Sequence, residues 1–483
     1  MISSSEVALH FVTLDNMNHS SQQGIVIILV LVFAAVFGLS VSALTSFIFS
    51  QAKLGAGKEV REQALNIAEA GLEYYQWFLT HNPGDTQDGT GGVGPYVRTY
   101  SDPETGEIGS FSLDVVGNES CGILQSIDVT STGTVNSDPK FTRTVFGRHA
   151  TPSVAEYSYI IGDDVWAGAN REITGPYHSN GGIRMDGTNN SVVTSAVSSW
   201  SESFNCNGGS ASPGVCGDGP NSTLWQYPGS PISFDDMETS FPTIKTAATT
   251  DGIYLAPYGS TEINWYGYIS AVDGYHLIFN ADGTVDIYQV TGTNWTFGYR
   301  TGIGYTLDYN TITAESFIER RTIPTDCPVI FVEDKVWIEG TVKGKVTVIA
   351  ADLVNAGYDP DVIINDDINY SVQDGSDGLT VISEFGIYIP PNSPDNLSIN
   401  GIFVAQGDRF GRPYYEGDVK TQLTIKGSII SSGRVGTAWL SGSTTVSGYQ
   451  NRDNIYDRLQ TTNPPPFTPS STLIPEYILW QEL

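Results

Sequence analysis

The sequence predicts a mainly β protein of the α+β class, carried on one long N-terminal helix. Residues 25–49 contain no charged side chain, which indicates an apolar helix. After residue 153, short apolar runs alternate with Gly, Asp and Asn turns to the end of the chain, which indicates many short strands. The charged fraction is 16%, against about 25% in an ordinary soluble domain, and Gly supplies 52 of 483 residues. This composition suits extracellular β structure with many turns.

The apolar run is long enough to cross a membrane. It reads IVIILVLVFAAVFGLSVSALTSFIF, from Ile25 to Phe49. At about 1.5 Å per residue it gives roughly 37 Å of helix, against a hydrocarbon core of about 30 Å. A secretory signal has an apolar stretch of only about 7–15 residues, so we expect a membrane span instead.

The helix is predicted to continue beyond the span. Apolar residues recur there at spacings of three and four, and Pro83-Gly84 then stops the helix. The second half of the helix, through residue 82, should therefore lie with one face on a folded domain. The residues of this face are Leu65, Ala68, Leu72, Tyr75 and Leu79.

The net charge excludes one class of partner. Lys and Arg number 23 and Asp and Glu number 53, for a formal charge of −30. Nucleic-acid binding depends on Lys and Arg that displace counterions from phosphates, so we expect no nucleic-acid partner.

Two sequence elements carry a family resemblance. Gly24 directly precedes the span, and AEAGLEYYQWFL follows it at Ala68–Leu79. Together they resemble the N-terminal region of PilX-type minor pilins of type IV pili, closely over residues 17–80 and loosely to about residue 150. The resemblance implies a leader at residues 1–24, cleavage between Gly24 and Ile25 by a prepilin peptidase, and packing with other pilins through the helix. It also implies a small pilin-like sheet at residues 83–152.

Three features depart from this family. The leader is long and lacks Lys and Arg, although a start at Met17 would give it an ordinary length. The fifth place after the cleavage site holds Leu29, where major subunits carry a glutamate. That residue either suits a position at the filament tip or reflects variation among minor members. The basic residues after the span would place the large domain in the cytoplasm, but large domains translocate largely regardless of charge. We therefore expect a single-pass protein of the inner (cytoplasmic) membrane before assembly, and an extracellular head afterwards.

The remainder of the chain is predicted to be β structure without a further helix after residue 153. Runs at 109–116, 124–135 and 140–148 indicate the small antiparallel sheet. Residues 153–483 form the head. Between residues 329 and 431, Gly ends one short strand and the next begins without a hairpin signal, which favours a right-handed parallel β-helix over a sandwich or barrel. Residues 173–184 are a candidate earlier rung.

An aromatic-rich insertion is predicted at about residues 220–310. Residues 251–310 contain 13 Tyr, Trp and Phe side chains. They indicate either a β-hairpin array with cross-strand aromatic pairs or an exposed platform that contacts a surface glycan. The candidate ligand-binding residues of the platform are Trp265, Tyr266, Tyr268 and Trp295.

The four cysteines suit an oxidising compartment. Cys206 and Cys216 bracket a flexible Gly/Ser loop, which favours a disulfide, with free thiols or a metal pair as the alternatives. Cys121 and Cys327 either pair or remain buried and reduced, and their spacing does not decide between these states.

The sequence offers little for catalysis. His178 lies alone in a Gly-rich turn, and Asp366 and Asp367 are adjacent in one strand, so their side chains point to opposite faces. No G-x-S-x-G, H-E-x-x-H, Walker A or C-x-x-C motif occurs. We expect no enzyme activity, cofactor or metal site. The acidic residues at 359–377 indicate solvated turns, with calcium binding as the alternative, although their spacing matches no EF-hand loop.

These observations favour a minor-pilin-like surface protein of a type IV pilus, acting in pilus assembly, tip priming or adhesion. A polysaccharide hydrolase or lyase on a pilin stem, and a type II secretion pseudopilin, are the alternatives.

Overall fold

The computed structural model describes residues 19–104, 106–234, 241–258, 261–263, 269–354, 357–442 and 444–483. The structure is mainly β, with one long helix at its N-terminus. It forms two compact units. The first comprises Met1–Gly71, Val97–Ser112 and Thr132–Thr144, and the second comprises Leu72–Tyr96, Leu113–Ser131 and Val145–Leu483.

Helix α1 spans His19–His81 without interruption. Its end agrees with the sequence prediction: the amide of Asn82 still bonds the carbonyl of Phe78 at 2.9 Å, and Pro83 then lacks the N–H that a further turn needs. Ala64, Ile67 and Ala68 are buried in the first unit. The helix therefore combines a packed C-terminal half with an N-terminal half whose side chains are exposed over residues 24–56.

A small five-stranded sheet has the order β1-β2-β3-β4-β33. The last strand is the C-terminus of the chain, which pairs antiparallel with β4. The sequence analysis did not predict this return. The strands of the small sheet are β1 (Tyr96–Asp102), β2 (Gly106–Ser120), β3 (Ile123–Val135), β4 (Thr142–Ala150) and β33 (Glu476–Glu482).

The second unit contains a long column of strands that pair in parallel. The pairing runs from each strand to one in a later segment of the chain, and β30 then pairs with β5 to continue the column. In spatial order the column contains β16 (Ile253–Leu255), β22 (Val329–Val332), β24 (Lys345–Ala350), β26 (Gly378–Ser383), β28 (Asn396–Ala405), β30 (Val419–Ser431), β5 (Tyr159–Ile161), β8 (Tyr177–Ser179), β11 (Val193–Ser195) and β15 (Trp225–Gln226).

Shorter parallel groups lie beside this column. One is β19 (Gly274–Phe279), β23 (Val336–Val342), β25 (Val362–Tyr370), β27 (Ile387–Tyr388) and β29 (Phe410–Gly411). A second group consists of β6 (Val165–Ala167), β9 (Ile183–Met185) and β14 (Val215–Cys216). A third consists of β7 (Glu172–Ile173) and β10 (Thr188–Asn189). In addition, β30 pairs in parallel with β32 (Thr444–Ile455). Inward Val, Ile and Phe side chains of successive strands, such as Val348, Val381 and Phe403, form one continuous core.

Antiparallel pairs occur where the chain leaves these parallel groups. The longest is the meander β19, β20 (Thr284–Arg300) and β21 (Gly304–Thr322). The others are β12 (Ser199–Trp200) with β13 (Ser212–Pro213), β17 (Thr261–Ile263) with β18 (Ile269–Ala271), and β31 (Ala438–Ser441) with β32. Single 3₁₀ turns lie at Val154–Glu156, Ser222–Leu224 and Arg458–Gln460.

The expectation that no helix follows residue 153 is wrong. Helix α2 spans Phe241–Thr250 and buries Phe241, Ile244, Ala247 and Ala248. Its sequence, FPTIKTAATT, is short and rich in Thr, which has low helix propensity, so packing of its apolar face overrides the local preference.

Candidate assembly helix and arginine-lined cavity

The N-terminal half of α1 presents apolar side chains on all faces. Gly24 and Ile25, the predicted cleavage pair, lie within it. Its most apolar 18-residue window has a mean hydropathy of 3.0 and no buried residue, and Phe37 and Leu39 are 71% and 73% exposed. The helix is thus long and apolar enough to cross a membrane. A helix that is apolar all round requires lipid or other helices as its environment.

The last turns of α1 are fixed within the second unit. The hydroxyl of Tyr75 donates to the carbonyl of Asp85 at 2.6 Å, and the hydroxyl of Tyr477, on β33, donates to the carbonyl of Leu72 at 2.9 Å. Leu72, Tyr75 and Leu79 are buried. These are three of the five residues of the predicted face, so the periodicity identified the packed side of the helix.

All four cysteines are bonded in pairs. Cys206 is joined to Cys216, and Cys121 is joined to Cys327. The first pair closes the short loop that the sequence singled out. The second connects the turn between β2 and β3 to the segment before β22, and Cys327 is packed among buried apolar side chains that include Ala248 and Val329.

The structure locates one of the four predicted aromatic candidates. Trp265, Tyr266 and Tyr268 lie outside the described residues. Trp295, on β20, is 56% exposed, and its ring centroid lies 5.3 Å from that of Phe297. Elsewhere on the meander, Tyr288 faces Phe317 and Tyr299 faces Tyr305 as direct cross-strand neighbours, at 5.3 and 5.1 Å between centroids. The meander therefore combines cross-strand aromatic pairs with an exposed Trp–Phe pair at one end.

The polar residues that the sequence analysis tested for chemistry take part in local hydrogen bonding. His178 is buried, and its ring nitrogens bond Thr194 at 2.9 Å and Asn180 at 3.0 Å; burial lowers the pKa of His178. Asp366 accepts from the amide of Asp367, and Asp367 accepts from the amide of Ser398, both at 2.7 Å. The two carboxylates therefore accept from different backbone amides, one on β25 and one on β28.

Acidic residues further along also cap turns. Asp377 accepts from the amides of Gly344 and Val372, each at 2.7 Å, and Asp374 accepts from the amide of Ser376 at 2.9 Å. Within the described part of the chain, no group of three or more His, Cys, Asp or Glu side chains is arranged as a metal site.

A buried histidine connects the meander to the parallel strands. His276, on β19, bonds Glu315 on β21 through Nδ1 at 2.8 Å, and its Nε2 lies 3.6 Å from Glu339 on β23. Burial opposes the charged imidazolium, but the two glutamates outweigh that effect and raise the pKa of His276. Asn365 donates to Glu339 at 2.6 Å and orients it. No motif in the sequence indicated this cluster.

The raised pKa of His276 predicts a pH-dependent contribution to stability. A group whose pKa is raised on folding contributes fully below its unfolded pKa of about 6.5 and loses that contribution as pH rises through the folded pKa. We expect His276→Gln to lower the free energy of unfolding by about 2 kcal/mol at pH 6 and by less at pH 9. Denaturant unfolding at both pH values measures this difference. Glu315→Gln should reduce the pH dependence in part, whereas an equal loss at both pH values would contradict the charged-histidine account.

Six arginines line one cavity of the second unit. The cavity has a volume of about 290 Å³. It is walled between the arginines by Trp166, Phe204, Tyr388 and Trp439, and the residues that line it include no Asp or Glu. The arginines come from segments that are far apart in sequence: Arg171, Arg300, Arg409, Arg412, Arg434 and Arg452.

Three of these arginines are held by carboxylates. Arg300 bonds Asp308 at 2.8 Å and stacks on the ring of Tyr388 at 3.9 Å. Arg409 bonds Asp408 at 3.1 Å, and Arg412 pairs with Asp418. These ion pairs fix the guanidinium groups in place, and the side chains of Arg300 and Arg412 are almost completely buried.

A larger cavity of about 870 Å³ lies elsewhere in the same unit and has a different character. Its lining contains Arg148, Lys343 and Lys345, together with the acidic residues Glu119 and Asp282. Its charges are mixed, whereas those of the arginine-lined cavity have one sign. No spacing motif in the sequence unites the residues of the arginine-lined cavity; stacking of the strands brings them together.

Comparisons with known proteins leave the family open. No protein-family model matches the chain, and no curated protein matches it. A solved structure, the crystal structure of the competence-associated pilin ComZ from Thermus thermophilus, is weakly similar, with a TM-score of 0.30 and 13% sequence identity over 88% of this chain and 97% of that one. A likeness at this level carries no argument about function, and the proposals below rest on this chain's own residues.

Proposed function

We propose that the chain is a minor-pilin-like subunit of a type IV pilus. In this proposal Ile25–Phe49 anchors it in the inner membrane, a prepilin peptidase cleaves between Gly24 and Ile25, and the head is then displayed outside the cell. The observation that carries the proposal is α1 itself. One uninterrupted helix is bare and apolar in its first half and packed on β structure in its second half. This division lets the bare half move from lipid into a helical bundle while the β structure remains folded.

Leu29 supports a place at the tip of the filament. In a repeating shaft, the buried N-terminal ammonium of a neighbouring subunit needs a carboxylate partner, and leaving it unpaired costs on the order of several kcal/mol. Leu29 offers only apolar contact. A terminal position, where no such neighbour exists, avoids this cost and suits a large head that would crowd a shaft.

The head in this proposal is a right-handed parallel β-helix with an inserted meander. Its support is the column of parallel strands that runs from β16 through β30, β5 and β8 to β15, in which each strand stacks on another and buries Val and Ile inward. A stack of this kind is rigid and suits the display of a binding surface. We propose binding rather than catalysis, because the charged cavity of the head presents cations without the carboxylate pair that glycoside hydrolysis uses. A type II secretion pseudopilin would share the helix, and the location of the assembled protein distinguishes the two.

Blocking the predicted cleavage tests the proposal. We expect Gly24→Asp to retain the leader and to abolish incorporation into filaments, because a charged side chain replaces the small residue at the cut. Mass spectrometry of the cell-derived protein should find Ile25 at the N-terminus of the wild type only. Immunogold labelling of the head should mark filament tips in the wild type and no filament in the variant.

A matched control is Gly55→Ala, since nothing lies within 4 Å of the added methyl group and Gly55 lies beyond both the cut and the apolar run Ile25–Phe49. It should be processed and assembled like the wild type. An uncleaved wild-type chain in the presence of active prepilin peptidase would contradict the proposal. Dense labelling along the whole shaft would refute the tip position.

A further inference from the structure

We propose that the arginine-lined cavity of the head binds a carboxylated saccharide, with one or two uronate-type carboxylates held by the guanidinium groups. The proposal concerns the ligand of the head. It goes beyond the assembly role proposed above, and it is tested independently of that role.

The charge of the cavity is opposite to that of the protein. The whole sequence holds 14 arginines and a net charge of −30, yet six of those arginines line this one cavity. None of the 53 Asp and Glu residues is among the lining residues. Asp308, Asp408 and Asp418 compensate three of the six charges. Like charges repel when gathered in a partly buried space, so the other three arginines oppose folding unless an anion compensates them.

Three of the six arginines bond only neutral groups among the described residues. Arg434 donates to the carbonyl of Asp164 at 2.8 Å and stacks on the ring of Phe204 at 4.1 Å. Arg171 donates to the hydroxyl of Tyr159 at 2.9 Å, and Arg452 donates to the side-chain oxygen of Asn170 at 3.3 Å. These contacts orient the three guanidinium groups, and none of them is a hydrogen bond to a carboxylate; the Asp164 carboxylate acts on Arg434 only through space.

Two further guanidinium donors of the cavity arginines have no protein partner in the described part of the chain, and they reach a ligand only if the side chains shift. Nε of Arg412 and Nε of Arg452 are buried and have no hydrogen-bond partner within the described residues, and the side chain of Arg412 is fully enclosed. Burial, followed by the positive charge of Arg171, lowers the pKa of Arg452 to about 10. A bound carboxylate would oppose both effects, and guanidinium forks match carboxylates in bidentate geometry.

Aromatic rings at the cavity favour a sugar as the carrier of the carboxylate. Trp439 lines the cavity and donates its indole N–H to the carbonyl of Arg412 at 3.0 Å. Its ring lies 5.6 Å from that of Tyr299, which in turn packs on Tyr305. Phe297 lies two residues before Tyr299 on β20, hence on the same face, and contacts exposed Trp295. Trp295, Phe297 and Tyr305 are each more than half exposed, so this aromatic row would offer the apolar faces of successive pyranose rings a surface outside the cavity.

The size of the cavity limits the ligand. About 290 Å³ lies at the lower end of the range for small-molecule sites, roughly 300–1,000 Å³. It admits one or two sugar units, and the remainder of the chain would follow the aromatic row. A nucleic acid fits less well, because its affinity depends on neutralising many phosphates along a strand, whereas this chain of net charge −30 gathers six cations at one small cavity.

Calorimetric titration of the full chain in detergent tests the inference, with trigalacturonate as the probe. The uncharged α-1,4-galactotriose replaces each carboxylate by a hydroxymethyl group. We expect trigalacturonate to bind at least about tenfold more tightly than galactotriose, and its affinity to fall as salt is raised. Arg434→Gln and Arg171→Gln should each weaken it about tenfold or more. Arg321→Gln is the matched control, because Arg321 lies on β21 outside the cavity lining and pairs with Glu319 at 3.8 Å; it should bind like the wild type.

Unfolding midpoints confirm that each variant is folded, and the two cavity variants provide separate tests if one is unstable. Equal binding of the charged and uncharged trisaccharides would overturn the inference, as would unchanged binding by both folded cavity variants. Tighter binding of a short oligothymidylate or of inorganic phosphate than of trigalacturonate would also overturn it. Because the titration requires no filament, its failure is distinguishable from a failure of the assembly proposal.

Discussion

Removing the Cys121–Cys327 bridge should lower the free energy of unfolding by about 5 kcal/mol, roughly twice the loss for the Cys206–Cys216 bridge. The reason is the length of chain that each bridge closes. Cys121 and Cys327 are 206 residues apart, whereas Cys206 and Cys216 are 10 apart. A cross-link that closes a longer loop removes more conformational entropy from the unfolded chain.

The backbone at Cys121 permits a sharper version of the experiment. Cys121 has a φ of 54°, in the left-handed region that disfavours residues with a Cβ, and its amide bonds the carbonyl of Asp326 at 2.8 Å. We therefore compare Cys121→Ser with Cys121→Gly, each combined with Cys327→Ala. Both remove the bridge, but glycine also relieves about 1 kcal/mol of backbone strain, so the serine version should be the less stable.

Denaturant unfolding of the full chain, followed by tryptophan fluorescence without reductant, measures these differences. The variant that lacks Cys206 and Cys216 is the matched control for loss of a short bridge. Equal losses for the long and short bridges would show that loop entropy does not govern their contributions. Equal stability of the serine and glycine versions would show that the turn adapts around residue 121.

Local patterns predicted the elements of the fold well where one segment contains the whole signal. The uncharged run from Ile25 and the stop at Pro83 define α1 almost completely, because helix length and termination depend on neighbouring residues. The Val- and Ile-rich runs between residues 329 and 431 likewise coincide with strands. The exception is α2, whose ten residues are too few and too rich in Thr for a clear helical signal.

Features that depend on distant segments were not predictable in the same way. β30 pairs with β5 across about 270 residues, and β33 returns to β4. The Cys121–Cys327 pairing and the arginine-lined cavity follow from these long-range arrangements. No local periodicity contains such information, since loop closure and strand stacking decide which segments meet. The sequence shows that arginine is scarce in an acidic chain. It does not show that six arginines gather at one cavity.

After removal of the Cys121–Cys327 bridge, the next largest loss of stability is expected from a single methyl group added at Gly133. Gly133 lies on β3 in the first unit, and a Cβ there would overlap the carbonyl oxygen of Ala64 and lie 2.5 Å from the amide nitrogen of Ala68. Both atoms belong to the backbone of α1, so no side-chain rotation relieves the overlap. The helix would have to move away from the strand. We expect Gly133→Ala to cost about 3 kcal/mol, at the upper end for overpacking of a well-packed contact.

Gly55→Ala is the matched control and should have the opposite sign. Gly55 lies on the exposed surface of α1, and nothing lies within 4 Å of an added Cβ. Alanine stabilises a helix by up to about 1 kcal/mol relative to glycine. Hydrogen exchange should therefore become faster in Gly133→Ala and unchanged or slower in Gly55→Ala, over peptides that cover residues 60–71 and 132–144.

The functional consequence follows from the position of this contact. Ala64, Ile67 and Ala68 are the first buried residues of α1 after its bare apolar half, so Gly133 lies where the packed half begins. If α1 acts as the assembly helix, loosening this contact should release its central turns and reduce the display of heads on filaments without preventing cleavage at Gly24. Normal cleavage with reduced head labelling is the expected result for Gly133→Ala. Faster exchange with unchanged labelling would show that assembly does not require a rigid connection between the helix and β3.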